Sequence, residues 1–457
     1  MRLASVVLPG LLWLHGFRPG SPHSSPGAHQ AVFAEAEVRE IPAAVGAAIT
    51  EICFTATGIS RVPAGAFRHM PRLTKVEFLQ NRLHTVEVGA FDQLAQLTQL
   101  EISGAPTLQA LPLGSLRGLG SLRRLSLKNN RVRQVPAGLF GDLGSLEELF
   151  LNDNAIWALP EGLFQGLHRL RLLHLGRNRL AALPGRLLRP LGLLHVLRLG
   201  DNQLRALPSG LLDGLEELRE LGLQGNGLRE LPAGFLHRLA QLERLSLERN
   251  GLERLEAGAF AGASQLRQLK LASNRLRQLP EQLFEHLPHL AELDGSHNQL
   301  RRLPARAPGA GPHGLRRLLL SHNQLPALPP GSLLQGFPNL TQLDVGGNRI
   351  AMVHLGQLAP LAHLQSLSLQ ANRLQSVPQG VFETLPRLTS LALGGNPWQC
   401  DCHLRYLHRW IRSNPRKQPR PPAGQEHRLT SRGPARLPVY TASLSAPQRT
   451  NDEPASN

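Results

Sequence analysis

Asp294, Ser296 and His297 fall within four residues of one another and carry the three groups of a nucleophile, base and orienter set. Their spacing argues against that chemistry. On a strand, residues two apart share a face, so Asp294 and Ser296 project together while His297 falls at the bend that follows. No backbone oxyanion loop adjoins them. Cys400-Asp401-Cys402-His403 has the residue types of a zinc corner. A structural zinc site needs four ligands, and no second pair with suitable spacing follows. His286 and His289 belong to return loops, and no phosphate-cradling glycine loop is present. With no catalytic or metal set complete, no cofactor is expected and the chain reads as non-enzymatic.

What positions these residues is a repeat. Leu146 to Ile156 reads L-x-x-L-x-L-x-x-N-x-I, and its asparagine recurs at Asn130, Asn154, Asn178, Asn202, Asn226, Asn250, Asn274 and Asn298, always 24 residues apart. Steps of 24 or 25 carry it on through Asn323, Asn348, Asn372 and Asn396. Backwards, the slot falls on Ala105, Asn81 and Thr57, so fifteen turns hold thirteen asparagines. That period with that signature is the leucine-rich repeat pattern. The expected fold is an α/β solenoid: a leucine-rich repeat horseshoe of about fifteen turns, with a parallel β-sheet on the concave face, an irregular convex side and a short helical C-terminal cap.

Each turn has three readable parts. Alternation sends Leu149 and Leu151 inward and Glu148, Phe150 and Asn152 to the open face. Asn154 sits where the chain bends, and its amide can satisfy backbone groups there that would each cost roughly 1–3 kcal/mol unpaired. The L-P-x-G-L-F return at Leu159 to Phe164 then crosses the convex side. Ten residues after the asparagine stand Phe67, Phe91, Phe140, Phe164, Phe260, Phe284 and Phe382, with Leu188, Leu212 and Leu236 between, which predicts a packed inner spine. One return, Ala305 to Gly314, has no leucine or phenylalanine to bury and is either a loose turn or a partner-specific loop.

Arg2 followed by the apolar run Leu3 to Leu14 has the length of a signal-peptide core and is too short to span a bilayer. The expected organisation is a signal peptide at 1–20, a degenerate N-terminal repeat cap at 21–48, repeats at 49–396, a C-terminal cap at 397–413 and a disordered tail at 414–457. No later stretch reaches the roughly 20 apolar residues of a membrane helix, so no membrane anchor is expected. In the C-terminal cap, Leu404, Leu407, Trp410 and Ile411 share one helical face that can cover the last turn. Three cysteines, Cys53, Cys400 and Cys402, are an odd number. In a secreted chain that leaves at least one thiol free or paired with another molecule. Cys53 is either a buried-edge thiol or an intermolecular link.

Binding is the better supported role. Fifteen strands give an inner arc of roughly 70 Å. Its open-face residues mix signs: Lys75, Glu77, Glu101, Arg124, Lys128, Glu148, Arg198, Glu220, Arg244, Glu248, Lys270, Glu292, Asp294, Arg317 and Asp344. Mixed signs suit a protein partner with its own charge pattern, and Phe150 is the aromatic candidate for a contact anchor. A second set, Arg82, Arg131, Arg133, Arg179, Arg205, Arg229, Arg275, Arg277, Arg301, Arg349 and Arg373, follows the asparagines and is expected to line one edge. The net charge is +17. That stripe is the feature favouring the alternative, a matrix or cell-surface protein that binds glycosaminoglycan or a receptor. Nucleic acid is not an expected partner. Asn339-Leu340-Thr341 is a glycosylation acceptor at a surface turn.

With these residues in view, the sequence resembles the leucine-rich, non-catalytic regulatory subunits of carboxypeptidase N and close secreted leucine-rich relatives, from about Ala31 to Trp410. The resemblance rests on Leu73-Thr74-Lys75-Val76-Glu77-Phe78-Leu79-Gln80-Asn81, the off-register turn at Leu100-Glu101-Ile102-Ser103-Gly104, and the run Gly395 to Leu407. It implies a secreted glycoprotein that binds and stabilises a plasma zinc carboxypeptidase, with zinc and catalysis belonging to the partner. It also implies cap disulfides, from which this chain departs. Ala34 stands where a cap cysteine is expected, and no cysteine follows Cys402 to bridge Cys400 or Cys402.

Overall fold

The computed structural model describes residues 29–43, 45–305, 314–399, 404–414 and 417. The expected signal peptide, Cys400 and Cys402, most of the anomalous return and nearly all of the expected tail lie outside the described residues.

Sixteen parallel strands form one sheet in strict chain order, from Gln30–Phe33 through Glu51–Thr55 to Ser390–Ala392. The first lies in the span expected for an N-terminal cap, and the other fifteen carry the repeat. Ala31 and Phe33 of the cap strand are buried, and it pairs in register with Glu51–Thr55. The register follows the repeat: Leu149 faces Leu173, Leu173 faces Leu197, and Leu197 faces Leu221. All four are buried, and full burial of such a side chain stabilises by about 1.5–3 kcal/mol. The convex side is a series of turns, broken by single helical turns at Leu283–His286 and Gly331–Leu334.

The thirteen asparagines form the expected row, ten buried and Asn154, Asn226 and Asn250 half-buried. Asn178 shows the geometry. Its Nδ2 donates to the carbonyls of Leu151 (2.9 Å), Leu175 (3.0 Å) and Gly176 (3.3 Å), and its Oδ1 accepts the Ile156 amide (3.0 Å). One side chain thus satisfies backbone groups of its own turn and the one before. Asn130 does the same for the slot held by Ala105, accepting that residue's amide at 2.8 Å. The residue before each asparagine takes the left-handed conformation, as at Asp153, Arg177, Asp201 and His297. Such a backbone costs of order 1 kcal/mol in a non-glycine residue, which the amide bonds beside it offset.

Every phenylalanine of the expected spine is buried. Phe67 stacks on Phe91 at 5.8 Å and Phe140 on Phe164 at 6.5 Å. A second stack, Phe33–Phe54–Phe78, lies behind the first strands, where phenylalanine replaces the inward leucine. Across the turn whose return carries no large apolar residue, Phe337 meets Phe284 edge to face at 4.9 Å. These rings come from returns two turns apart in sequence. At the far end the helix Leu404–Ser413 lies against the last repeat, with Leu407 buried and Trp410 and Ile411 half-buried. Trp410 packs on Phe382 at 5.1 Å, and the Tyr406 hydroxyl, which the sequence pattern did not single out, donates to Glu383 and accepts the Phe382 amide.

Candidate functional site

The open-face residues stand on the concave sheet as alternation requires, with one correction. Asn152 is buried, its Nδ2 donating to Asp153 Oδ2 at 2.7 Å. Lys128 and Glu248 hold the same slot of their turns and are half-buried, so it is the short Asn152 side chain, folded back onto Asp153, that leaves the open face.

Opposite charges stand side by side along a strand or across neighbouring turns, so most of the mixed-sign face is neutralised within itself. Lys75 pairs with Glu77 at 2.9 Å, Lys128 with Glu101 at 3.0 Å, and Arg317 with Glu292 at 3.3 Å. Asp294 accepts the Ser296 hydroxyl at 2.6 Å and its amide at 3.0 Å. The His297 ring stacks instead on His322 at 4.3 Å. The serine hydroxyl is therefore turned to the carboxylate and not to an imidazole, and no nucleophile–base pair forms. Asp344 caps the Gly346 amide at 3.0 Å. Glu248 and Lys270 are half-buried on the same face and make no ion pair among the described residues. Asn339 is exposed at a turn just before the strand Gln342–Asp344.

The densest arrangement spans the six strands from Arg124–Ser126 to Arg244–Ser246, about 24 Å of arc. Arg124 pairs with Glu148 and lays its guanidinium over the Phe150 ring, 4.4 Å from the centroid. Phe150 meets His174 edge on at 6.4 Å. Glu220 then receives Arg198 at 2.8 Å and Arg244 at 3.5 Å. Burial, with Arg198 beside it, holds the His174 pKa below the ordinary imidazole value. The Gln224 side-chain amide reaches over Gly200, into the space that a Cβ there would occupy. His174 and Gln224 were not singled out in the sequence, although His174 occupies the register position of Phe150 one turn on.

The eleven arginines after the asparagines behave differently. All are exposed, and none makes an ion pair among the described residues. Cys53 is half-buried between Val32 and Glu77, and burial, then the Glu77 charge, pushes its thiol up to about 11. No described helix is long and apolar enough to cross a membrane.

The leucine rich repeat family signature matches in overlapping segments, 107–156, 120–180, 169–228, 216–276, 240–300 and 264–325, and again at 362–397, more than half of the chain. The protein belongs to the leucine-rich repeat family. Among solved structures it is similar to a leucine-rich repeat protein of Leptospira interrogans, at 23% identity and a TM-score of 0.65, covering 85% of this chain and 94% of that one. It is also similar to the glycosylated Toll–Spätzle complex of Drosophila, at 25% identity and a TM-score of 0.64. The complex of TLR13 with ssRNA13 follows at 22% identity and a TM-score of 0.61. This chain spans 53% of the length of each of the last two and is itself covered to 80% and 81%. No curated protein matches it.

Proposed function

We propose that this protein is a secreted, non-catalytic scaffold whose concave sheet holds a protein partner, centred on Arg124, Phe150, His174 and the Arg198–Glu220–Arg244 triad. The observation that carries the reading is the Phe150–His174 pair, an aromatic surface set among charges that are already paired with one another. Charges neutralised in place cost less to cover than isolated ones, while the rings supply apolar area to bury. The Drosophila neighbour is a Toll–Spätzle complex, which makes a protein partner a reasonable use of this architecture.

The finer reading is that the partner is a zinc carboxypeptidase that removes C-terminal Arg or Lys, which this scaffold stabilises as a regulatory subunit. Its support is the resemblance carried by Leu73 to Asn81, Leu100 to Gly104 and Gly395 to Leu407. The test is a titration of purified full-length chain against a purified carboxypeptidase of that specificity, read by light scattering and by the enzyme's thermal midpoint. A stable complex that Phe150→Ala weakens supports both levels. Absence of a complex overturns the carboxypeptidase reading. A complex indifferent to Phe150 and His174 substitutions overturns the concave centre.

A further inference from the structure

We propose that the arginine edge is a second, independent binding surface, and that its ligand is a linear sulfated polysaccharide. The edge follows from the repeat. Arginine recurs one and three residues after the asparagine, and those positions stack from turn to turn through their own backbone bonds. The Arg275 amide donates to Leu252 O at 2.9 Å and the Arg301 amide to Arg277 O at 3.1 Å. The side chains therefore leave a rigid ladder at about 4.8 Å per turn, and the set from Arg82 to Arg373 extends over roughly 60 Å.

Three observations select the ligand. First, the concave arginines are paired with carboxylates, whereas those of the edge make no ion pair among the described residues. Second, of the residues at these two positions between Asn81 and Asn372, Glu253 is the one acid. An unpaired row of one sign this long fits a polymer with regularly spaced anions, not a compact anion or a mixed-sign protein surface. Third, the row carries guanidinium groups, which fork onto sulfate or carboxylate oxygens, but a single exposed tryptophan, Trp157. Single-stranded nucleic acid is gripped by successive aromatic platforms under its bases, and this edge has none beyond Trp157. A sugar polymer needs no such ladder.

The experiment compares full-length chain with two charge-matched variants. The edge variant combines R205Q, R229Q, R277Q and R301Q, and the control combines R72Q, R117Q, R189Q and R387Q on exposed convex positions. Binding to a fluorescent heparin oligosaccharide, to its desulfated form and to poly(U) is read by anisotropy across a salt series. The expected result is salt-sensitive binding of the sulfated sugar that falls about tenfold or more in the edge variant and stays near wild type in the control. Equal losses in both variants would show that net charge alone acts and overturn the assignment. Tighter binding of poly(U), equal binding of the desulfated sugar, or no binding near physiological salt also overturns it. Unchanged thermal midpoints in both variants establish that the difference is local.

Discussion

The guanidinium of Arg124 rests 4.4 Å from the centre of the Phe150 ring, one turn away on the concave sheet. The sequence marks Phe150 as an aromatic on an open surface, and the structure shows a ring with one face covered by a cation and its edge met by His174. Both neighbours hold the ring in place before any partner arrives, which lowers the ordering cost of binding.

From this arrangement, Phe150→Ala is expected to weaken partner binding by about 2 kcal/mol, roughly thirtyfold, with little change in the unfolding midpoint. Calorimetric titration against the purified partner measures it. Unaltered affinity would remove Phe150 from the contact.

His174 supplies a pH dependence. Its pKa lies below the ordinary 6.5, chiefly through burial and then through Arg198, with Arg177 acting the same way against Asp153 and Glu220. The unfolded chain therefore binds the proton more readily, so stability falls as pH drops from 6.5 through the folded-state value. His195 shifts in the same direction, through burial and then Arg219 and Arg171, and adds to the effect. Urea midpoints at pH 7.5 and 5.0 should differ less in His174→Gln than in the parent, and an equal difference would exclude His174.

Asn178→Ala removes the partner of the Ile156 amide and of the Leu151 and Leu175 carbonyls. With several buried groups left unpaired, a loss of about 3 kcal/mol is expected. Hydrogen exchange at the Ile156 amide should rise with it. Protection retained there would mean that the row is not what closes the bend.

Phe337→Ala should cost about 3–5 kcal/mol, because it removes the ring that Phe284 packs against, next to the return Ala305 to Gly314, whose sequence holds no leucine or phenylalanine. Phe235→Ala, where adjoining returns still contribute buried leucines, is the comparison. If the two losses match, Phe337 has no bridging role.

The Cys53 thiol, pushed up to about 11 from 9.0, has about a hundredfold less thiolate at pH 8.5 than a free cysteine. The fold favours the neutral thiol, so this contribution is present below pH 9 and is lost as pH rises through about 11. Iodoacetamide should label it correspondingly slowly in the folded chain and at the ordinary rate in urea. Fast labelling of the folded chain would favour the intermolecular-link reading.

The sequence made the architecture legible because the period is enforced by hydrogen bonds of fixed reach. An asparagine that must span from Leu151 O to Ile156 N tolerates little variation in turn length, so the spacing itself announces the fold. The same logic placed the spine phenylalanines and the arginine edge. Contacts between turns were harder to read. That Glu220 binds two arginines while Lys270 makes no ion pair among the described residues depends on side-chain reach across strands, and no spacing rule records it. The Phe284–Phe337 contact was hidden because it crosses a whole intervening turn. His174 shares the register position of Phe150, but the repeat pattern does not distinguish an imidazole that packs on a ring from one that faces solvent.

Because Leu221 faces Leu245 just as Leu197 faces Leu221, and each bend is closed by the amide of the following turn, the seam between any two typical turns is interchangeable with the next. A stretch of 24 residues can be duplicated or excised in frame without orphaning a backbone group. Length, and with it the reach of both surfaces, is therefore a quantity that tandem copying can tune in whole steps, leaving the chemistry of every remaining joint as it was.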